Sequence, residues 1–304
     1  MAAAAGRIDP TDADAFAGFI GCCFLSRVLD PAHNLGDIFG VTAGNGRKKI
    51  SDTLTIQEVD LKKLSREYLE RETRVLGETY RYLQVLNLDD YFSVLKYSPG
   101  IEEYALLTSI ERTLNAETGF DYVMFDTPPT GLTLRFLALP SVTLTWIDRL
   151  IRIRETILEK RYTIGKIRRP LKPGETPAEE RLAYDPGEDA ILERLRALRR
   201  NYDRLNGLLR GEDCSVVLVF NPDLLSLQES CRLAEGLAEL RLPLRLLVNN
   251  KVTERNREMA ERVEQALRKA APGVPVERVP LSEALYEGKE TVLYRIENDI
   301  GERF

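Results

Sequence analysis

Short, nearly continuous apolar runs alternate with amphipathic stretches along most of the chain, as they do where strands are buried on both faces by helices. Tyr122-Val123-Met124-Phe125 is the most strand-like run, entered after Gly119 and stopped by the Pro128-Pro129 pair. A second strand is predicted over Ser215 to Phe220 and a third over Leu244 to Val248. Between them lies a helix carrying Leu224, Leu227, Cys231, Leu233, Leu237 and Leu240. This succession predicts an α/β fold with a mostly parallel sheet flanked by helices. From about Ser141 to Arg210 the pattern turns helical, and Ile191, Leu195, Leu198, Tyr202, Leu205 and Leu209 step by 4, 3, 4, 3 and 4 residues. Such a seam suits packing on another helix. Pro170, Pro173, Gly174 and Pro177 mark a loop ahead of it. Residues 1–29 are rich in Ala and Gly and show no clean period. The expected organisation is an N-terminal segment over 1–29, an α/β domain over 30–140 and 211–304, and a helical subdomain over 141–210 inserted in it.

Composition narrows the class. The chain has 304 residues, 43% hydrophobic and 30% charged, with a formal charge of −5; that suits a water-soluble core and excludes disorder as the dominant state. The longest uncharged apolar stretch, Ala15 to Leu25, falls short of the roughly 20 residues a spanning helix needs. Asp9, Asp12 and Asp14 precede it where a secretory signal carries basic residues, so the expected location is cytoplasmic. Cys22, Cys23, Cys214 and Cys231 have no paired spacing for zinc or redox work and read as structural thiols. Arg149 to Lys172 holds nine basic side chains against Glu155 and Glu159. That run is either a solvated helical face or a surface for an acidic partner. Net negative charge and sparse aromatics argue against a nucleic-acid partner.

Three runs carry chemistry. Phe125-Asp126-Thr127-Pro128-Pro129-Thr130-Gly131 ends a strand in a carboxylate and passes into a Gly-containing loop. Asp126 there can hold Mg²⁺ through water at the carboxyl edge of a parallel sheet, or it can cap the next helix. Asp30-Pro31-Ala32-His33-Asn34-Leu35-Gly36-Asp37 groups an Asp, a His and an Asn in one turn. They can orient a water and answer a phosphate, but an Asx-turn before a capped helix has the same composition. Leu246-Leu247-Val248-Asn249-Asn250 ends a core strand in an amide with a donor and an acceptor to show a purine edge, and Asn is also an ordinary turn residue.

Taken in order, "DPAHNLGDIFG", "SPGIEEY", "FDTPPTGLTLRFLALP", "VFNPDLLSLQESCRL", "LVNNKV" and "VPLSEALYEG" resemble the ArsA-type ATPases, which comprise the arsenite-pump ATPase and the guided-entry ATPases for tail-anchored membrane proteins. The resemblance covers about Asp30 to Gly288. It implies a P-loop NTPase-like fold and a Mg²⁺- and ATP-dependent hydrolase. By position it gives Asp30 the role of orienting the attacking water, with Asn34 in the same switch. Asp126 falls in the switch that senses Mg²⁺ and the γ-phosphate. Asn249 matches the adenine-contacting Asn, and Pro280 with Leu281 match the loop over the base. It further implies a homodimer, or a heterodimer with a related ATPase, and a membrane-protein client or membrane pump subunit. The block 141–210 falls where the targeting members build a groove for a transmembrane helix.

The pattern departs from that family at its start. Phosphate binding in such proteins rests on a Gly-rich loop at a helix N-terminus and its Lys. The 29 residues before Asp30 contain no Lys, and Gly288-Lys289 has Glu283 where the loop's first Gly belongs. The expectation is therefore that the first strand and phosphate loop are missing from this sequence, lost by truncation, deletion or a frame change; the excess of 32 Arg over 11 Lys fits GC-rich coding. Loss of a central strand predicts exposed apolar faces and unpaired edges, and loss of the loop predicts impaired hydrolysis. The alternative is a nucleotide-independent binding module for an apolar helix or a sister ATPase subunit. Leu132 stands where the family usually has His, and neither zinc-pairing nor arsenite-sensing cysteines are recognisable.

Overall fold

The computed structural model describes residues 24–29, 36, 39, 41, 46–79, 100–116, 119–128, 130–167 and 189–281. The chain divides into two compact units, one of residues 1–137 with 214–304 and one of residues 138–213.

The first unit holds two sheets. In the four-stranded one, β1 (Phe24–Val28) lies between β3 (Leu54–Glu58) and β4 (Tyr122–Asp126), parallel to both, and the short β2 (Lys48–Lys49) runs antiparallel on the far side of β3. The helices α1 (Leu61–Thr79) and α2 (Ile101–Ala116) pack on each other beside this sheet. In the second sheet β5 (Val216–Phe220), β6 (Leu244–Val252) and β7 (Val276–Pro280) are all parallel. The α/β class with parallel strands is as expected. β1 falls in the stretch without a clean period, because Ser26 and Arg27 interrupt its apolar residues.

Burial follows the pleat. Leu218, Phe220 and Leu247 share a core with Ala234 of α5 (Leu224–Glu239) and with Val263 and Leu267 of α6 (Arg257–Ala270), whereas Leu246, Val248 and Val279 form a separate cluster. Each fully enclosed Leu or Val is worth about 1.5–3 kcal/mol over its exposed state. Asp223 starts α5 by accepting the N–H of Ser226 at 2.8 Å. Leu224, a member of the predicted stripe, lies in the first turn and is exposed. Among the described residues, β4 and β5 each end a sheet and have one strand neighbour. Apolar side chains on them meet solvent: Met124 is 41% exposed and Val219 60%.

The second unit is a helical hairpin. Helix α3 (Thr130–Ile167) begins in the first unit and runs on through Pro140, and α4 (Ala190–Arg210) returns beside it. Ser141 meets Asn206, Asp148 meets Arg199, and Glu155 meets Arg196, so rising numbers on one helix face falling numbers on the other. Leu205 and Leu209 of the predicted seam are buried, but Leu198 is 42% exposed and Leu192 is enclosed instead. Exposed Asp148–Arg199 and Glu155–Arg196 ion pairs also link the two helices. At its end Asp189 caps α4 on the N–H of Leu192 at 2.7 Å and accepts a two-pronged bond from Arg154 at 2.6 and 3.1 Å.

Candidate functional site

Parallel pairing brings the end of β1 beside the predicted Asp126 run at one sheet edge. Val28 stands in register with Asp126, and the N–H of Leu29 donates to the Asp126 carbonyl at 2.8 Å. The segment leaving β1 therefore starts beside the last residue of β4, at the carboxyl edge where open parallel sheets bind ligands. Asp126 is exposed there. Past it, the Thr133 hydroxyl donates to the Pro128 carbonyl at 2.6 Å and ties the proline loop to the first turn of α3. Arg135 then reaches Glu103 at 3.4 Å, joining the "SPGIEEY" run to the Asp126 run.

Asp30 and Asn34 lie outside the described residues. Farther along the same run, the buried Gly36 donates its N–H to Oε1 of the buried Glu58 at 2.8 Å and accepts from the N–H of Val41 at 2.9 Å. Sequence reasoning missed Glu58. The signal was present: Leu54, Ile56 and Glu58 alternate on the buried face of β3, and a carboxylate in an inward position needs a donor.

On the second sheet, Asn249 is fully enclosed. Its Nδ2 donates to Glu264 Oε1 at 2.8 Å, and Arg278 grips the same carboxylate through Nε at 2.7 Å and Nη2 at 2.9 Å. Burial pushes the Glu264 carboxyl up, but the bonds from Arg278 and Asn249 outweigh it and hold the group below its ordinary value. Asn249 Oδ1 has no hydrogen-bond partner. Because a carboxylate can only accept, the amide orientation is fixed chemically, and what remains is an acceptor. Pro280 ends β7 exposed, and the N–H of Leu281 donates to Val252 at 3.0 Å. Lys251 adopts a left-handed backbone (φ 61°), secured by Asn250 on its N–H and Asn256 on its carbonyl.

Asp126 and Asn249 thus stand on different sheets of the first unit, each at or near a carboxyl end. Among the described residues no group of three or more His, Cys, Asp or Glu forms a metal cage. A cation at Asp126 would be held by this one carboxylate, water and a bound anion, a donor set that suits Mg²⁺. The Cys214 and Cys231 thiols are free and partly buried, and burial raises both. No helix among the described residues is long and apolar enough to cross a membrane.

Residues 24–271 match the family model for anion-transporting ATPases. The chain is 26% identical over 228 residues to a putative arsenical pump-driving ATPase 2 of Aquifex aeolicus, covering 75% of this chain and 69% of the relative. It is 28% identical over 250 residues to the putative arsenical pump-driving ATPase 1 of the same organism, at 75% of this chain and 56% of the relative. With the ATPase GET3 of Phaeosphaeria nodorum it shares 27% identity over 233 residues, at 73% of this chain and 65% of the relative. The chain therefore spans less than two thirds of the length of the latter two.

Proposed function

The chain belongs to the anion-transporting ATPase family, and from that membership we propose that it is a Mg²⁺·ATP-dependent ATPase coupling nucleotide state to anion transport or to membrane-protein targeting. The observation that supports the reading is the register of Val28 with Asp126, which brings the carboxyl end of β1 beside the last residue of β4. In this reading Asp126 holds the cation, Asp30 and Asn34 orient the attacking water, and Pro280 and Leu281 lie over the base. Asn249 offers the base an acceptor, Oδ1, the buried atom without a partner. Magnesium, when bound, neutralises charge on the phosphate oxygens; such transfer is mostly positioning and electrostatics. The protein acts in the cytoplasm as a dimer, with itself or a related ATPase, and serves a membrane-protein client or pump subunit.

The 304 residues contain no Gly-Lys phosphate loop, and hydrolysis by this polypeptide alone is accordingly slow. The terminal positions of β4 and β5, with Met124 and Val219 facing solvent, support a sheet that another strand would complete. Calorimetric titration of the full chain with ATP tests the reading: Mg²⁺ should tighten binding, and Asp126→Asn should abolish that gain while leaving binding in EDTA unchanged. Equal affinity with and without Mg²⁺ would refute the assignment of Asp126. A second reading, a nucleotide-independent binding module, is favoured by one feature. Val142, Trp146, Leu150, Ile153 and Ile157 form an exposed stripe along α3. Copurification of an apolar helix or a sister subunit, with no ATP binding at all, would select it.

A further inference from the structure

An arginine stands inside a central strand. Arg27 of β1 has Gln57 of β3 on one side and Phe125 of β4 on the other, and its side chain enters a cavity of about 290 Å³ beside α1 and α2. Nη2 donates to the Ser109 hydroxyl at 3.3 Å, Nε is buried with no acceptor, and no carboxylate pairs with the guanidinium among the described residues. Burial, and then the nearby charge of Arg47, lower its pKa to about 10. Arg27 is half-buried, and a charge so placed without a counter-charge is costly unless something supplies one.

The rest of the lining carries two cations and two carboxylates. Lys63 of α1 and Arg112 of α2 stand exposed at the mouth and make no ion pair among the described residues. Asp60 and Glu67 also line the cavity. Asp60 Oδ1, however, accepts the N–H groups of Lys62 and Lys63 at the start of α1. Three cations reach one space from three elements, the sheet and two helices. Donors from three directions suit a tetrahedral oxyanion better than a planar carboxylate, which accepts along one edge. The volume, several times the roughly 30 Å³ share of a water molecule, leaves room for a substituent on that anion.

We propose that the cavity among Arg27, Lys63, Arg112 and Ser109 is a binding site for a phosphate group, free or carried on a small molecule, separate from the nucleotide edge at Asp126. The probe is inorganic phosphate, followed on the full chain by ³¹P line broadening and thermal shift, in EDTA, without nucleotide, against chloride at equal ionic strength. Phosphate should bind and raise the melting temperature. Arg112→Ala, an exposed change that spares the core, should weaken it at least about fivefold, and Arg27→Met should abolish it. Parallel titrations with a phosphomonoester separate the two sources: tighter binding than free phosphate assigns a substituted ligand, equal binding the free anion. Absence of phosphate binding would overturn the proposal. So would binding that survives both Arg112→Ala and Arg27→Met but disappears in Asp126→Asn, which would put the anion at the nucleotide edge. Loss of Mg²⁺·ATP binding with phosphate binding retained would count against the nucleotide reading alone.

Discussion

Arg278→Met isolates the buried polar cluster of the second sheet. In the native chain Glu264, only 8% exposed at its side chain, receives three charge-assisted or amide bonds between 2.7 and 2.9 Å, two of them from Arg278. Removing one partner of a buried pair costs about 3–5 kcal/mol, mostly the penalty of the charge left behind. Arg278 is itself 38% exposed, so water reaches part of the vacated space and the expected loss falls to about 2–3 kcal/mol. Urea unfolding at pH 7 measures it. The pH dependence supplies the sharper check. In the native chain the folded pKa of Glu264 lies below its ordinary 4.5, so this stabilisation is present above that value and fades as pH falls through the folded pKa. In the variant the same carboxyl keeps its burial and loses Arg278, so its folded pKa moves above 4.5. Protonation then relieves the defect, and the gap between variant and native chain narrows as pH falls toward 4.5. Replacing Asn249, Glu264 and Arg278 together by apolar residues should cost less than Arg278→Met alone. A loss under about 0.5 kcal/mol, or one that is constant from pH 7 to 4.5, would refute the reasoning.

Two further outcomes are expected. Asp189→Asn should cost the helical unit about 2 kcal/mol, because Arg154 loses a buried carboxylate, and Asp189→Ala about 1 kcal/mol more through the lost cap. The bond from Arg154 holds Asp189 below its ordinary 3.8, so its contribution is present above that pH and declines below it, which helical circular dichroism during denaturation would follow. A Cβ on Gly236 would lie 2.8 Å from both methyls of Leu134. Gly236→Ala should therefore destabilise by about 1 kcal/mol, overpacking outweighing the gain in helix propensity, and Leu134→Ala in the same chain should reverse the sign in a double-mutant cycle.

The parallel strands were legible because Tyr122 to Phe125, Ser215 to Phe220 and Leu244 to Val248 are short apolar runs bounded by Gly, Pro or polar turns. β1 was not, since Arg27 at an inward position contradicts the pattern that identifies strands; only the register with Gln57 and Phe125 explains it. The helical seam was half legible. Leu205 and Leu209 are buried as the spacing predicts, but the spacing alone does not say which leucines lie inward, and Leu192 is enclosed where Leu198 is exposed. At the candidate sites, residue type singles out Asp126 and Asn249 as candidates, whereas Glu58, Glu264 and Arg278 acquire their hydrogen bonds only through partners 14 to 22 positions away.

Position relative to a helix start separates aspartates that look alike in the sequence. Asp189 and Asp223 each stand one residue before a helix and accept an N–H from its first turn, so their charge is committed to capping. Asp126 stands four residues before Thr130, with its backbone held in β4 by the N–H of Leu29. A cap must be the residue adjoining the helix, because only there do its side-chain oxygens meet the free N–H groups two and three positions on. Asp126 is not the residue adjoining α3. Its backbone is held by the sheet, its side chain is exposed at the carboxyl edge beside the exit of β1, and that position supports the proposed cation site. Asn249 is the opposite case, enclosed, with its Nδ2 committed to Glu264 and only Oδ1 left for the base contact proposed above.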